Sequence, residues 1–500
     1  MSPVIVARDV AYELPNGREL FKQLNFSLTA TRSALVGANG SGKTCLARLL
    51  AGDLEPTGGT IQRHGALSLF AQREPAAPIP VSDYLASVDQ WSLTRDRLLA
   101  NIDQHALCTT LSGGQWMRVR LARALDDGFL ILDEPTNDLD REGRQAVFQF
   151  LRAHAGGVLL ISHDRETLEL CDEILELSNL GLMKFGGSWP EYVAEKDRER
   201  IRLGAALEQA KRERDAAVVH RVEQLARQEK RNRRGQAAAA RGGIPRILAG
   251  GRKRLAQVTT GKRDVALVER AEAAVSKAHE AFADLKIEPV MYADLLGQEL
   301  HSQKLIAEAH GFNIRYHDWL YPQDLDFSWR GNARLALRGP NGSGKSTLLR
   351  TLAGAEATTR GALNRGQLVT LYIDQRCSVL DDTLSILENV RCVASGSESE
   401  IRTHLARFLF TRDSVFQKAG ALSGGERLRA TLARSLLATH RPELLLLDEP
   451  TNNLDLVNIE FLERLIREFR GALIVVSHDL RFLESCGVTS QFELPHPTSQ

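Results

Sequence analysis

The chain has 500 residues and a mass of 55.3 kDa, more than one hydrophobic core organises, so two or three domains are expected. With 43% hydrophobic and 25% charged residues, the composition excludes a largely disordered, collagen-like or membrane-embedded chain. The net charge of +1 conceals a segregation, because residues 196–270 carry 21 Lys and Arg against 9 Asp and Glu. Such a basic block between mildly acidic flanks points to a polyanion-binding element.

Taken in chain order, the start (Met1-Ser-Pro-Val-Ile-Val) lacks a basic stretch followed by an apolar one, so no secretory leader is expected. No run approaches the ~18 apolar residues of a membrane-spanning helix. Six cysteines without a C-x-x-C pair argue against a disulfide framework or a zinc or iron–sulfur site and predict a cytoplasmic chain. Ser33–Val36 predicts a strand that feeds Gly37-Ala-Asn-Gly-Ser-Gly-Lys-Thr44, with a helix from Cys45. Phe129–Leu132 and Val158–Ile161 are short apolar runs suited to strands buried on both faces of a parallel sheet.

Beyond residue 200 the apolar period changes. Leu203, Leu207, Ala210, Val218, Val222 and Leu225 follow a loose 3-4 spacing, and Leu267/Val268, Ala271, Val275, Ala278, Phe282 and Leu285 a stricter one. Two such seams predict an antiparallel helical hairpin with its turn over Gly235–Gly261. The first pattern then returns: Leu335–Leu337, Gly339-Pro-Asn-Gly-Ser-Gly-Lys-Ser346, Leu444–Leu447 and Leu473–Val476.

Four strings recur in the same order on either side of the hairpin: the phosphate loops, Leu111-Ser-Gly-Gly-Gln115 with Leu422-Ser-Gly-Gly-Glu426, Asp133-Glu-Pro-Thr-Asn-Asp-Leu-Asp140 with Asp448-Glu-Pro-Thr-Asn-Asn-Leu-Asp455, and Ser162-His-Asp164 with Ser477-His-Asp479. The offsets are 302, 311, 315 and 315. The chain therefore reads as an internal duplication of a domain of roughly 190–200 residues. The expected fold class is α/β, with two phosphate-loop domains at 1–195 and 289–500 joined by a basic helical linker at 196–288.

G-x-x-x-x-G-K-[S/T] turns backbone N–H groups inward around phosphates at a helix N-terminus. Gly37, Asn39, Gly40, Ser41 and Gly42, and their counterparts Gly339, Asn341, Gly342, Ser343 and Gly344, form that cradle. Lys43 and Lys345 are placed to reach the β/γ-phosphates, and Thr44 and Ser346 to ligate Mg²⁺. Asp133 and Asp448 end apolar strands, where a carboxylate can hold Mg²⁺. Glu134 and Glu449 follow them and are the candidate bases for an attacking water. His163 and His478, in register at the same motif distance, are candidate γ-phosphate contacts.

These residues resemble the ATP-binding cassette (ABC) ATPases: Leu-Ser-Gly-Gly-Gln/Glu upstream of Leu-Asp-Glu-Pro-Thr-Asn-x-Leu-Asp covers nearly all of both copies. The resemblance implies two cassettes docked head-to-tail around two ATP molecules. The first site would combine Lys43, Thr44, Gln72, Asp133, Glu134 and His163 with Ser423, Gly424 and Gly425 of the other copy. The second would combine Lys345, Ser346, Gln375, Asp448, Glu449 and His478 with Ser112, Gly113 and Gly114. Gln72 and Gln375 match the family's Q-loop, and Asp140 and Asp455 its D-loop. Tyr12 and Tyr316 are the candidate adenine-stacking aromatics.

Two complete sites and a basic helical insert resemble, more narrowly, the ABC-F family of ribosome-associated tandem ATPases, as does Gly186-Gly-Ser-Trp-Pro-Glu-Tyr192 before the hairpin. That resemblance implies an ATP-hydrolysing monomer that enters the ribosomal E site and carries its linker to P-site tRNA and rRNA. The linker's own chemistry agrees. From Arg227 to Arg263 there are 12 basic residues and one acidic. No aromatic lies between Tyr192 and Phe282, so binding would rest on phosphate contacts rather than base stacking. Arg231, Arg233, Arg234, Arg252, Lys253 and Arg254 are the candidate RNA contacts. An arm inserted in the first cassette and a C-terminal extension, both seen in some family members, are not expected here. Competing readings are an ATPase subunit serving a separate permease, and a DNA-associated ATPase using the same basic hairpin.

Overall fold

The computed structural model describes residues 3–15, 17–70, 75–86, 93–124, 128–137, 139, 141–178, 181–240, 299–315, 318–340, 342–452 and 454–495. Packing divides the chain into two compact units, Met1–Pro190 with Met291–Gln500, and Glu191–Val290. Both sequence copies thus belong to the first unit.

Each copy is built on a largely parallel sheet. In the first, the order is β5 (Leu67–Phe70), β6 (Phe129–Asp133), β7 (Val158–Ile161), β3 (Arg32–Val36), β8 (Glu173–Ser178) and β9 (Gly181–Gly186). The pairs β5–β6, β6–β7, β7–β3 and β3–β8 are parallel, and β9 closes the edge as an antiparallel strand. The second copy repeats this order with β14 (Thr370–Ile373), β15 (Leu444–Asp448), β16 (Ala472–Val476), β12 (Arg334–Arg338) and β17 (Ser490–Glu493), all parallel. A three-stranded antiparallel sheet accompanies each: β2–β1–β4 (Glu19–Thr29, Pro3–Glu13, Gly58–Arg63) and β11–β10–β13 (Leu325–Arg330, Leu305–Arg315, Thr358–Arg365).

The continuous apolar runs explain the architecture. Every residue of β6, β15 and β16 is buried, Asp133 and Asp448 included, as expected where helices cover both faces of a parallel sheet. Five strands in the same order, with the phosphate-loop strand next to last, place each phosphate loop at the carboxyl edge of its sheet. The Asp-Glu and Ser-His motifs end neighbouring strands at that edge, where ligands bind in open α/β sheets.

The second unit opens with the helix Trp189–Ala240, 52 residues and about 78 Å long at 1.5 Å per residue. It corrects the sequence reading in two ways. Gly235 lies inside the helix rather than opening the turn, because the strong helix formers Gln236 and Ala237–Ala240 outweigh the ~1 kcal/mol a single glycine costs. The predicted seam is also broken at one described position: Ala210 is buried and Leu203 half-buried, but Val222 is exposed. The side chains of Leu207, Val218 and Leu225, the rest of the expected turn and the stricter seam of 267–285 lie outside the described set.

Candidate functional site: a phosphate cradle shared by two halves

The two phosphate loops fold alike. Gly42 and Gly344 sit at the N-caps of the helices Lys43–Ala51 and Lys345–Leu352 with φ of 97° and 86°, the left-handed region that a glycine enters without cost. Lys43 Nζ donates to the carbonyls of Gly37 and Ala38 at 2.7 and 3.2 Å. Lys345 Nζ does the same to Gly339 and Pro340 at 2.8 and 2.9 Å. Each ammonium is thereby held over its own loop. Burial lowers the proton affinity of Lys43, and Glu134, Asp455 and Asp133 oppose that effect.

Beside each cradle a hydroxyl and a carboxylate converge. Ser346 Oγ donates to Asp448 Oδ1 at 3.0 Å, and the Thr44 hydroxyl bonds Asp133. These hard oxygen donors at the edge of a phosphate cradle fit Mg²⁺. Burial raises the proton affinity of both aspartates, and their hydroxyl partners oppose it. Sequence reasoning passed over Tyr372, whose hydroxyl donates to Asp448 Oδ2 at 3.2 Å.

Glu134 and Glu449 adopt φ of 50° and 48°. A non-glycine residue is strained there by about 1–3 kcal/mol, a feature that clusters at functional sites. The conformation is anchored by Glu134 N donating to Ile161 O (2.8 Å) and Glu449 N donating to Val476 O (2.9 Å). It turns each carboxyl towards the histidine that ends the next strand: Glu134 Oε1 is 3.5 Å from His163 Nε2, and Glu449 Oε1 is 3.2 Å from His478 Nε2. Burial raises the proton affinity of Glu134, with Lys43 opposing it, whereas burial and Lys43 together hold His163 well below its ordinary value. The imidazole facing Glu134 is therefore neutral. Burial likewise pushes Glu449 up to about 7, against the pull of Lys345 and of Arg144 from the other copy.

The first cradle opens into a cavity of about 430 Å³ lined by both halves. The first copy supplies Asn39, Gly40, Gly42, Lys43, Thr44, Asp133, Glu134 and His163, and the second supplies Thr451, Asn452, Leu454, Ile459 and Asp479. This differs from the expected partnership: the second copy's contribution comes from the segment after Asp448-Glu449, and Ser423, Gly424 and Gly425 are not in the lining. The junction is explicit. Asp455 caps the helix Leu456–Glu468 through Oδ1, which accepts from Asn458 N (3.0 Å) and Nδ2 (2.5 Å), and its Oδ2 accepts from Asn39 N at 2.9 Å. Gly425 packs directly on Asn458, where a Cβ would fall 2.2 Å from Nδ2. The signature loop thus reaches the opposite cradle through Asn458 and Asp455.

Ser112 and Ser423 form capping boxes with Gln115 and Glu426 at the starts of the helices Gly113–Arg123 and Gly424–Leu436. The two glycines that follow each serine, Gly113 and Gly114 or Gly424 and Gly425, form the first turn. Gln375 is exposed just after β14. Gln72, Asp140, Tyr316 and Asn341 lie outside the described residues. Tyr12 packs beside Phe21, with ring centroids 6.3 Å apart, and does not line the cavity, where Leu14, Arg18 and Leu20 stand instead. Further ion pairs join the halves: Arg165 grips Glu463 at 2.7 Å between largely buried side chains, and Arg481 meets Glu169. In the second unit Arg233 and Arg234 are exposed on the long helix, which also carries Arg231, while Arg252, Lys253 and Arg254 lie outside the described residues.

Two parallel sheets, each presenting a phosphate cradle, a strand-end Asp-Glu and a strand-end histidine, define a tandem nucleotide-hydrolysing protein. The comparisons agree. The family model described as ABC transporter matches residues 21–137 and 322–452. The chain is 30% identical to the ATP-binding protein Uup of Caulobacter vibrioides, over 97% of this chain and 76% of that protein. It is 28% identical to the ribosome protection protein VmlR of Bacillus subtilis, over 97% and 85%. The solved complex of an archaeal ribosomal stalk protein with the recycling factor aABCE1 covers 98% of this chain and 90% of that one at a TM-score of 0.57 and 17% identity, a likeness of fold. The chain belongs to the ABC-F family of tandem-cassette ATP-binding proteins and is an ATP-hydrolysing enzyme. Among the described residues, no helix is long and apolar enough to cross a membrane.

Proposed function

We propose that this ATPase is a translation factor that binds the ribosome, with two cassettes at 1–195 and 289–500 and an RNA-contacting linker at 196–288. Its closed form would occupy the E site, and its linker would meet P-site tRNA and rRNA. The observation that carries the reading is the charge of that linker, 12 basic residues to one acidic across 227–263, in a chain whose relative VmlR is named for ribosome protection. Basic side chains without interleaved aromatics suit the phosphates of structured RNA.

The ATP sites supply the timing. Lys43 and Lys345 would bind the phosphates, and the signature loops would complete the opposite sites. Thr44 with Asp133, and Ser346 with Asp448, would hold Mg²⁺, which supplies charge neutralisation for the phosphoryl oxygens. Glu134 and Glu449 would orient and deprotonate the attacking water, each facing the histidine that ends the next strand. Because Asp455 of one half bonds Asn39 in the cradle of the other, nucleotide occupancy and closure of the halves are linked. Hydrolysis would then release the factor through the differing affinities of closed and open forms for the ribosome.

The test is sucrose-gradient sedimentation of lysate containing the Glu134→Gln/Glu449→Gln chain, with and without ATP. Co-migration with ribosomes only in ATP is expected. Adding Arg231→Glu, Arg233→Glu and Arg234→Glu should weaken that association increasingly as salt rises, with ribosome-free ATPase of the parent background unchanged. A protein that stays at the top of the gradient, or moves to the membrane pellet as the permease-serving alternative requires, refutes the reading. So does association that survives RNase but not DNase.

A further inference from the structure

We propose that Tyr372 is a positioning residue for Asp448, and that it makes the second ATP site grip a Mg²⁺-bound nucleotide more firmly than the first. The inference rests on the ATP-site reading above. The two oxygens of Asp448 have separate donors: Ser346 Oγ on Oδ1 at 3.0 Å and Tyr372 Oη on Oδ2 at 3.2 Å. A carboxylate held from both sides cannot swing about its terminal torsion, which is otherwise soft. Tyr372 is anchored in turn, half-buried on β14 against the core of the second copy.

The duplicated sheet provides the comparison. β5 pairs with β6 in the register Leu69↔Ile131, and β14 pairs with β15 in the register Tyr372↔Leu446. Both partners stand two residues before the strand-end aspartate, so Leu69 occupies in the first copy the place of Tyr372 in the second. Leucine has no donor to offer. Asp133 bonds the Thr44 hydroxyl and lacks the phenol that would fix its other oxygen. When a cation enters, the first site must order its carboxylate, while the second has that ordering done in advance; preorganisation of this kind strengthens binding. The phenol bonds the oxygen away from Ser346, leaving Oδ1 and the serine hydroxyl as the pair available to a metal. A phenol also draws charge from the carboxylate, and an effect of that kind alone would weaken the grip. The two accounts therefore differ in sign.

The experiment measures equilibrium binding of a fluorescent ATP analogue to the full-length chain, in Mg²⁺ and in EDTA, and takes the ratio of the two affinities. Lys43→Ala restricts binding to the second site, and Lys345→Ala restricts it to the first. Tyr372→Phe should lower the ratio about fivefold, the worth of one ordinary hydrogen bond, in the Lys43→Ala background and leave it unchanged in the Lys345→Ala background. Leu69→Tyr should raise the ratio in the Lys345→Ala background, and it decides the matter if Tyr372→Phe fails to fold by thermal denaturation. An unchanged or higher ratio for Tyr372→Phe in the Lys43→Ala background overturns the proposal, as does an equal fall in both. If the Lys43→Ala parent itself binds no nucleotide, the ATP-site reading falls, and the proposal with it.

Discussion

Replacing Glu449 with glutamine should stabilise the protein, by an amount that depends on pH. Its carboxyl is nearly fully buried and is pushed up to about 7 from an ordinary 4.5, chiefly by loss of hydration. A carboxyl whose proton affinity is raised by folding favours the folded state only while it is protonated. The cost of its ionised form is therefore absent below about pH 4.5, grows between 4.5 and 7, and is complete above 7. At 1.36 kcal/mol for each tenfold change in proton affinity, that interval corresponds to about 3 kcal/mol. Glutamine keeps the shape and the strained backbone but cannot ionise. Urea unfolding of nucleotide-free protein in EDTA should find the Glu449→Gln chain within about 0.5 kcal/mol of the parent at pH 4. By pH 8.5 it should be more stable by up to about 3 kcal/mol. A difference that does not change with pH, or a glutamine variant that is the weaker at pH 8.5, refutes the reasoning. ATPase activity of the parent should rise with pH through the same range, since only the ionised carboxylate can accept a proton from water.

Asp455→Ala removes both a helix cap and the bond to Asn39. It should cost about 1 kcal/mol of stability on unfolding, together with a disproportionate loss of ATP hydrolysis relative to ATP binding. Arg165→Leu leaves Glu463 buried without its cation and should cost about 3 kcal/mol. The paired Arg165→Leu/Glu463→Phe, which installs the residues that Leu480 and Phe148 supply at the equivalent places of the other halves, should recover most of that loss in the same denaturation series. Gly344→Ala forces a Cβ to within 2.4 Å of the Leu320 side chain at a φ of 86°, and a binding titration should find nucleotide lost from the second site alone.

The parts of the site that were legible in the sequence are those carried by contiguous strings. The Gly-rich loops, the Asp-Glu pairs and the strand-end histidines each need several residue types at fixed spacing, and continuous apolar runs mark the strands that end in them. Duplication doubled every one of these signals. What escaped depends on single side chains brought together from distant segments. Tyr372 is one aromatic in a four-residue strand, and its role exists only because β14 pairs with β15 in a particular register. The contact of Asp455 with Asn39 spans 416 positions, and no local pattern announces that this aspartate, rather than Ser423, stands against the first cradle. Gly235 misled for the opposite reason. A turn signal was read locally, whereas the alanines after it decided the helix.

The ion pairs that bridge the halves also break the equivalence that the duplication began with. Arg165 and Glu463 correspond to Leu480 and Phe148, Arg144 to Ile459, and Arg481 to Glu166. Within the first half, the bond between Arg144 and Asp164 likewise has no charged analogue between Ile459 and Asp479. Two first halves facing each other would set Arg165 against the ring of Phe148, and two second halves would set Glu463 against the aliphatic Leu480. Each homotypic pairing strands a charge that the mixed pairing neutralises. Among many copies of this chain in a cell, an exposed first half is thus a poor match for another first half, and the fit is best with a second half. Because each chain carries one of each, the face where its own two halves meet is matched in charge.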